Sequence, residues 1–171
     1  MNTQATADQG TMRENFLELL QKFDTGTLVT HGADGQLHGR PMSIARKEED
    51  GELWFLTSAD SGKVSELIRD ERALVSLADS ERFVVMDGVV ETVQSSELAR
   101  SLWKEPFRLW FSGPDDPKLV ILRFAPSAAE YWNNAGAQGV KHAFRAAKAY
   151  LKGEQLQDST KDAEMHGTVK R

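Results

Sequence analysis

The sequence predicts a mainly β domain: a six-stranded antiparallel barrel with helices at its periphery. Three observations support this prediction. Six short segments are rich in the branched and aromatic residues that strands favour. Short polar turns, one of them with Asp-Gly at its centre, join several of these segments. Three or four other segments have the apolar spacing of helices.

The chain begins with a predicted helix and a three-stranded meander. Apolar spacing places the helix from about Thr11 to Phe23, with Thr11 as its cap and Glu14 as the capping-box partner. Pro41 lies inside the second strand and indicates an edge or an interrupted ladder. The three strands are predicted over residues 27–30, 36–46 and 52–57.

The rest of the chain supplies the other strands and helices. Gly88 lies in the middle of a strand and indicates a bulge, and Ser95 begins a helix that extends toward Trp103 and Trp110. Residues 140–151 have helical spacing with basic side chains. The other predicted elements are a helix over residues 63–69, strands over 73–78 and 83–93, and a sixth strand over 118–124 that residues 129–132 extend beyond Pro126.

The length of the chain fits one domain. Its 171 residues fall within the range of roughly 100–200 residues for a single domain. It has no cysteine, which excludes disulfides, thiolate metal sites and cysteine nucleophiles. We predict a disordered lead over residues 1–10, the folded domain over 11–152, and a disordered polar tail over 153–171.

Charge and hydropathy exclude two classes of partner. The net charge of −5 argues against broad electrostatic binding to nucleic acid or to an anionic membrane surface. No apolar run approaches the roughly 20 residues of a membrane span, and the polar N-terminus lacks the apolar core of a signal peptide. We therefore expect a cytoplasmic protein. The four histidines lack metal-ligand spacing, so we predict no metal site.

The strongest chemical signal lies where the third strand leads into the next helix. Ser58 and Ser61 supply hydroxyl groups there, and Lys63 supplies a charge at the start of the helix. Helix N-termini carry unpaired N–H groups that suit a phosphate. Arg40 lies one hairpin away, near the same end of the sheet, and can grip a phosphate with a forked pair of hydrogen bonds. A solvated loop with Ser61 as a plain N-cap, beside a surface arginine, is the alternative.

These residues resemble a known family. The segments 39–42 and 54–63, in this order and spacing, resemble the FMN-binding half of pyridoxamine 5'-phosphate oxidase-like split barrels. The closest resemblance is to the bacterial general stress proteins, which share the Trp110-Phe111 pair, the Asp-Asp-Pro loop at residues 115–117 and the ending over 126–132. The resemblance covers roughly residues 14–133 and implies a split barrel.

The resemblance also implies a homodimer that binds FMN at the subunit interface. Arg40 and Lys63, helped by Ser61, would bind the phosphate, and Trp132 would reach the flavin of the neighbouring subunit. Large aromatics such as Trp110, Phe111 and Trp132 suit a two-fold contact, and a place in the core remains the alternative for them. The implied cofactor contacts are Arg40, Pro41, Met42, Leu56, Thr57, Ser58, Ser61, Lys63, Trp110 and Trp132.

The chain departs from the oxidases of this family at three places. Residues 133–140 lack the two arginines and the histidine that follow the tryptophan in those enzymes, and Gly62 replaces an arginine before the phosphate lysine. Their glutamine on the following strand has no clear counterpart near Phe83. We therefore predict an FMN flavoprotein of the general stress type and not a pyridoxamine phosphate oxidase. As an enzyme it would use a nicotinamide donor and a small acceptor; a non-catalytic flavin carrier or sensor and a cofactor-free dimeric barrel are the alternatives.

Overall fold

The order of helices and strands follows the prediction closely. A computed structural model describes residues 3–135 and 166–170 of the chain. The helices are α1 (Thr3–Leu20), α2 (Gly62–Arg69) and α3 (Ser96–Leu102), and a 3-10 turn spans Glu105–Leu109. The strands are β1 (Thr25–His31), β2 (Leu37–Lys47), β3 (Leu53–Ser58), β4 (Arg72–Ala78), β5 (Arg82–Val93), β6 (Leu119–Asn133) and β7 (His166–Lys170).

Six of these strands close a barrel. The order is β3-β2-β1-β4-β5-β6, and β6 returns to pair with β3. All of these pairs are antiparallel. Strand β6 is long enough to close the barrel because residues 119–124 pair with β3 while residues 121–133 pair with β5. The predicted six-stranded antiparallel barrel is confirmed.

Alternation along the strands produces two apolar clusters. Phe55 and Leu122 face the inner cluster, which fills the barrel and receives Phe16 and Leu20 of α1. Leu56, one residue after Phe55, faces the outer cluster, which α3 and the 3-10 turn cover. The outer cluster consists of Ala45, Leu56, Ala99, Leu102, Phe107, Phe111, Leu119 and Ile121. Strand β3 is therefore packed on both faces.

Strands β2 and β3 separate beyond Ile44. They pair at three positions from Ile44 to Lys47, with a register shift between Ile44 and Arg46. Toward its start, β2 pairs with β1 alone, and Pro41 lies in this part, as the sequence predicted. The carbonyl of Ile44 accepts a hydrogen bond from Lys104 Nζ at 3.2 Å, so a side chain satisfies it where the ladder ends. The barrel opens between the diverging strands.

Two further features secure the barrel wall. The predicted bulge at Gly88 is confirmed by a register shift between Asp87 and Gly88, and a Cβ at Gly88 would lie 2.3 Å from the carbonyl oxygen of Ala125. Glu52, 4% exposed, accepts two hydrogen bonds from Arg123, from Nε at 2.8 Å and from Nη2 at 2.7 Å. Arg123 also stacks over the ring of Trp54, with its Cζ atom 5.8 Å from the ring centroid.

At each end of the chain, some residues that were predicted to be disordered belong to a helix or a strand. Helix α1 begins at Thr3 and ends at Leu20, so residues 3–10 are helical and Thr11 lies inside the helix instead of capping it. The apolar second half of α1 packs on the barrel, and a nucleated helix extends readily through alanine-containing sequence. Residues 166–170, predicted as disordered tail, form β7 against the part of β6 that β3 leaves unpaired.

One internal prediction also needs correction. The helix predicted from Ser95 toward Trp110 is interrupted: α3 ends at Leu102 and a 3-10 turn follows, with Pro106 near its start. The predicted extension of the sixth strand beyond Pro126 is confirmed, because the strand runs through the proline as one element. The helix predicted over residues 140–151 lies outside the described residues, as does most of the predicted tail. None of the described helices is long and apolar enough to cross a membrane.

Candidate functional site

A cavity of about 420 Å³ lies where β2 and β3 separate. Its walls come from β2, from the end of β3 and the loop into α2, and from the 3-10 turn with the residues after it. Its volume lies within the roughly 300–1,000 Å³ that is typical of ligand and cofactor sites. The lining residues are Pro41, Met42, Ser43, Leu56, Thr57, Ser58, Ser61, Lys63, Phe107, Trp110 and Phe111.

One corner of this cavity is the N-terminus of α2. Ser61 occupies the N-cap position with extended backbone angles, but its side chain makes no capping hydrogen bond within the described part of the chain. The equivalent residue of α3, Ser95, accepts a hydrogen bond from the N–H of Leu98 at 3.2 Å. The N–H of Val64 donates to the Ser61 carbonyl at 2.9 Å, so the N–H groups of Gly62 and Lys63 at the start of α2 are the ones that can meet a ligand, and an anion suits them best.

Lys63 brings a charge to the same corner. Its Nζ donates to the hydroxyl of Thr57 at 2.9 Å, and the hydroxyl of Ser61 lies 3.5 Å from that of Thr57. Burial, followed by the positive charge of Arg40, lowers the pKa of Lys63, while the carboxylate of Glu66 acts in the opposite direction. An anion that binds nearby would stabilise the charged form of this half-buried ammonium.

Arg40 lies beside the cavity and is not among its lining residues. Its Nη1 donates to Thr30 Oγ1 at 2.8 Å and to the carbonyl of His38 at 3.2 Å, and its Nη2 donates to Glu66 Oε1 at 2.9 Å. The same Nη2 is 3.8 Å from the position that a Cβ on Gly62 would take. The guanidinium therefore lies against Gly62, the first residue of α2. In sequence, Gly62 lies between Ser61 and Lys63, which both line the cavity.

Glu66 joins α2 to strands β1 and β2. It accepts hydrogen bonds from Thr30 Oγ1 at 2.6 Å and from His38 Nδ1 at 2.7 Å, in addition to the one from Arg40. The hydrogen bond from Arg40 is the largest of the effects that lower the pKa of Glu66 to about 2, against the opposing effect of burial. The carboxylate is therefore ionised throughout the physiological pH range.

The opposite walls of the cavity are apolar. Met42 and Leu56 are buried on the strand side, and Phe107 and Phe111 are buried on the side of the 3-10 turn. Trp110 is 65% exposed and lies at the rim of the cavity. A cavity with one polar corner and aromatic walls suits a planar ring system that carries an anionic group.

The structure brings most of the predicted site residues together. Eight of the ten line the cavity, and Arg40 lies at its margin. Trp132 does not line the cavity. It lies near the end of β6 and pairs with Phe83, whereas Leu119 at the start of β6 pairs with the cavity-lining Ser58. The ring of Trp132 lies 5.1 Å from that of His166.

Two predicted details differ in the structure. The hydroxyl of Ser58 donates to Asp60 Oδ1, so it is not a free donor for a ligand. Phe111 is 9% exposed within the outer cluster, so it is not available for a two-fold contact. For Trp110, which is exposed, the structure rules out the alternative of a place in the core.

The sequence reasoning missed five residues of the site. Ser43 and Phe107 line the cavity, as does Phe111, which had been predicted only as a dimer contact. Thr30 and Glu66 hold Arg40. The signal for Phe107 was its position three residues before Trp110, after a helix-breaking proline. No local pattern pointed to Thr30.

Comparisons with known proteins agree with this architecture. Residues 11–157 match the family model described as pyridoxamine 5'-phosphate oxidase like. The chain is 29% identical over 132 residues to General stress protein 26 of Bacillus subtilis (strain 168), and the match covers 74% of this chain and 91% of that protein.

Two solved structures extend the comparison. A protein from Jannaschia sp. CCS1, assigned as a general stress protein 26, superposes with a TM-score of 0.69 and 25% identity over 92% of this chain and 97% of that one. A pyridoxamine 5'-phosphate oxidase-related, FMN binding protein from Nostoc punctiforme PCC 73102 has a TM-score of 0.56 and 14% identity over 81% and 87% of the two chains. The second likeness is one of fold alone.

The ionised Glu66 should make stability depend on acid pH. Because its pKa is about 2 in the folded protein against an ordinary 4.5, its contribution is complete above about pH 4.5 and is lost as the pH falls toward 2. Glu66→Gln removes this titration, so its unfolding midpoint in urea should fall less steeply than that of the wild type over this range. Glu71→Gln, at an exposed residue, is the control. Identical pH profiles for wild type and Glu66→Gln would contradict this account.

Proposed function

The chain belongs to the pyridoxamine 5'-phosphate oxidase-like family, and we propose that it is an FMN-binding flavoprotein of the general stress type whose cofactor occupies the cavity between β2 and β3. One observation carries this proposal: an uncapped helix N-terminus and a lysine form the polar corner of a cavity with otherwise mostly apolar walls. The FMN binding protein of the same fold from Nostoc punctiforme supports the choice of cofactor.

The polar corner fits the phosphate of FMN. The free N–H groups at the start of α2, the ammonium of Lys63 and the hydroxyl of Ser61 would hold it, and Arg40 would approach from the side of Gly62. These groups bring two positive charges to the site, and Glu66 compensates part of that charge. The positive charge that remains favours a phosphate at this corner.

The apolar walls fit the ring system. Met42 and Leu56 on one side and Phe107 and Trp110 on the other would border the isoalloxazine, while Thr57 and Ser43 offer polar atoms between the walls. When bound, FMN supplies the redox chemistry, and the protein positions it and excludes water. Lys63 is the one ionisable side chain among the described lining residues, and the proposal assigns it to the phosphate.

Two forms of this function differ in chemistry. In the first, the protein is an oxidoreductase that takes electrons from a nicotinamide donor. In the second, it carries or senses flavin without turnover. Oxidation of pyridoxamine phosphate is not proposed, because the substrate phosphate would need cations that residues 133–140 do not supply.

A homodimer would complete the site. Leu109 and Trp110 are 78% and 65% exposed beside the cavity, and exposed apolar side chains at the rim of a site suit burial against a second copy. Trp132 does not line the cavity of its own chain. The proposal therefore brings Trp132 to the flavin from the partner, as the family resemblance implies.

The purified protein should bind FMN through its phosphate. Lys63→Ala should lower the affinity for FMN by about 10-fold or more, because one charge-assisted hydrogen bond is worth roughly 1.5–3 kcal/mol. The double variant Arg40→Ala with Lys63→Ala should lose more, and neither should change the affinity for riboflavin, which lacks the phosphate. Titration by flavin fluorescence measures both ligands, with Lys22→Ala, at an exposed lysine, as the control. A wild-type protein that fails to bind FMN would refute the proposed function.

Reduction by a nicotinamide separates the two forms. If the protein is an oxidoreductase, NADH or NADPH added without oxygen should bleach the flavin absorption bands, and admitting air should restore them with consumption of the donor. Dithionite, which reduces flavin without using a donor site, is the positive control. Bleaching by dithionite alone would leave the carrier or sensor as the function.

The shared site predicts a dimer in solution. Light scattering should give twice the chain mass of 19.1 kDa. Trp110→Ser should weaken both the dimer and FMN binding, because this side chain borders the cavity and is exposed in a single chain. Ile68→Ser, at an apolar residue that is 76% exposed but outside the cavity, is the matched control. A monomer with full affinity for FMN would disprove the shared site.

A further inference from the structure

A nearly buried carboxylate at one end of the barrel makes more contacts than charge compensation alone requires. The side chain of Glu66 is 12% exposed and does not line the cavity. It lies on α2 between Val64 and Leu67, which are buried, and it accepts hydrogen bonds from Thr30, His38 and Arg40. A carboxylate in such a place needs several donors to offset its loss of water, and here the donors come from β1 and β2.

Thr30 links the two charged members of this group. Its side chain is fully buried, its hydroxyl donates to Glu66 Oε2 at 2.6 Å, and the same oxygen accepts from Arg40 Nη1 at 2.8 Å. Glu66 Oε1 accepts from Arg40 Nη2 at 2.9 Å. Thr30 and Glu66 thus hold both terminal nitrogens of the guanidinium, and the planar group has little freedom to rotate.

The remaining donors of Arg40 can be identified by accounting for each N–H. Nη1 uses both of its N–H groups, on Thr30 Oγ1 and on the His38 carbonyl, and Nη2 uses one on Glu66. His38 Nδ1 is 3.5 Å from Nη2, but it donates its own proton to Glu66 at 2.7 Å and so cannot accept one. Nε–H and the second N–H of Nη2 are therefore left without a partner among the described residues.

The free donors are next to the proposed phosphate corner. Nη2 lies 3.8 Å from the Cβ position of Gly62, the first residue of α2. A guanidinium held on one edge and open on another can grip two oxygens of a phosphate at low entropic cost. An arginine without these contacts would sample several rotamers, and the positive charge of Lys63 would repel it.

We propose that Glu66 and Thr30 are positioning residues, which fix Arg40 beside the N-terminus of α2 so that its two free N–H groups bind the phosphate of the flavin nucleotide. This inference rests on the proposed FMN site. It assigns the acidic residue next to two cations a geometric role beyond charge compensation. The two roles predict opposite effects: loss of a compensating charge would tighten phosphate binding, whereas loss of a positioning contact would weaken it.

Thr30→Val tests the geometry without changing any charge. Valine has nearly the shape of threonine and removes the hydroxyl that links Glu66 to Arg40. We expect the affinity for FMN to fall about 3- to 10-fold, the effect of roughly one hydrogen bond, with the affinity for riboflavin unchanged. Thr30→Ser keeps the hydroxyl and should retain the wild-type ratio of the two affinities. Thermal unfolding confirms that each variant is folded.

A double-mutant cycle tests whether the effect acts through Arg40. In the Arg40→Ala background, Thr30→Val should cause no further loss of FMN affinity, because the group that it positions is gone. Glu66→Gln provides a second, independent variant and should also weaken FMN binding. Arg69→Ala is the control: Arg69 also joins α2 to β1, through the carbonyl of His31 at 3.1 Å, but it does not contact Arg40.

The outcomes separate this inference from the function on which it rests. If the wild type does not bind FMN, both the phosphate site and the inference fail. If Lys63→Ala weakens binding while Arg40→Ala or Thr30→Val has no effect, or if Glu66→Gln tightens binding, the inference alone fails. Equal losses for FMN and riboflavin would also overturn it, because they would indicate a general disturbance of the fold.

Discussion

The structure depends on one constraint: β2 pairs with β3 only as far as Ile44. Beyond this point a continuous ladder would close the barrel wall completely. The divergence creates the cavity, and it leaves Ser43 and Leu56 as lining residues, where a continued ladder would pair them across the two strands. It also leaves backbone groups without strand partners, and Lys104, beyond α3, satisfies the carbonyl of Ile44. Proline in the diverging segment is compatible with this arrangement, since it has no N–H to pair.

Two arginines show how hydrogen-bond accounting distinguishes structural from functional charges. Arg123 gives Nε and Nη2 to Glu52, contacts Glu91 through Nη1 and lies over Trp54. Its bonding capacity is largely used, and its role is to tie β6 to β3. Arg40 has a carboxylate partner too, but only through Nη2, and it keeps two donors free among the described residues. The difference lies in which nitrogens the partners occupy and not in the number of ion pairs.

The sequence predicted features formed by residues close together in the chain, and it did not predict contacts between residues far apart in the chain. Alternation gave the six strands, and the corner formed by Thr57, Ser61 and Lys63 could be predicted because all three lie within one strand–loop–helix segment. The hydrogen bonds of Arg40 join residues 10 and 26 positions apart, and no periodicity reports them. Strand β7 was missed because its five residues carry little apolar signal, and only the free edge of β6 makes a strand favourable there.

The uncapped start of α2 has an energetic consequence. A serine that caps its helix contributes roughly 1 kcal/mol, and Ser61 does not cap α2 within the described residues. Without a ligand, this helix is therefore less stable than its sequence would allow, and its unfolding is coupled to whatever anion completes the cap. An anion that completes the cap therefore raises the free energy of unfolding, and the proposed flavin nucleotide would stabilise the fold in proportion to its occupancy of the cavity.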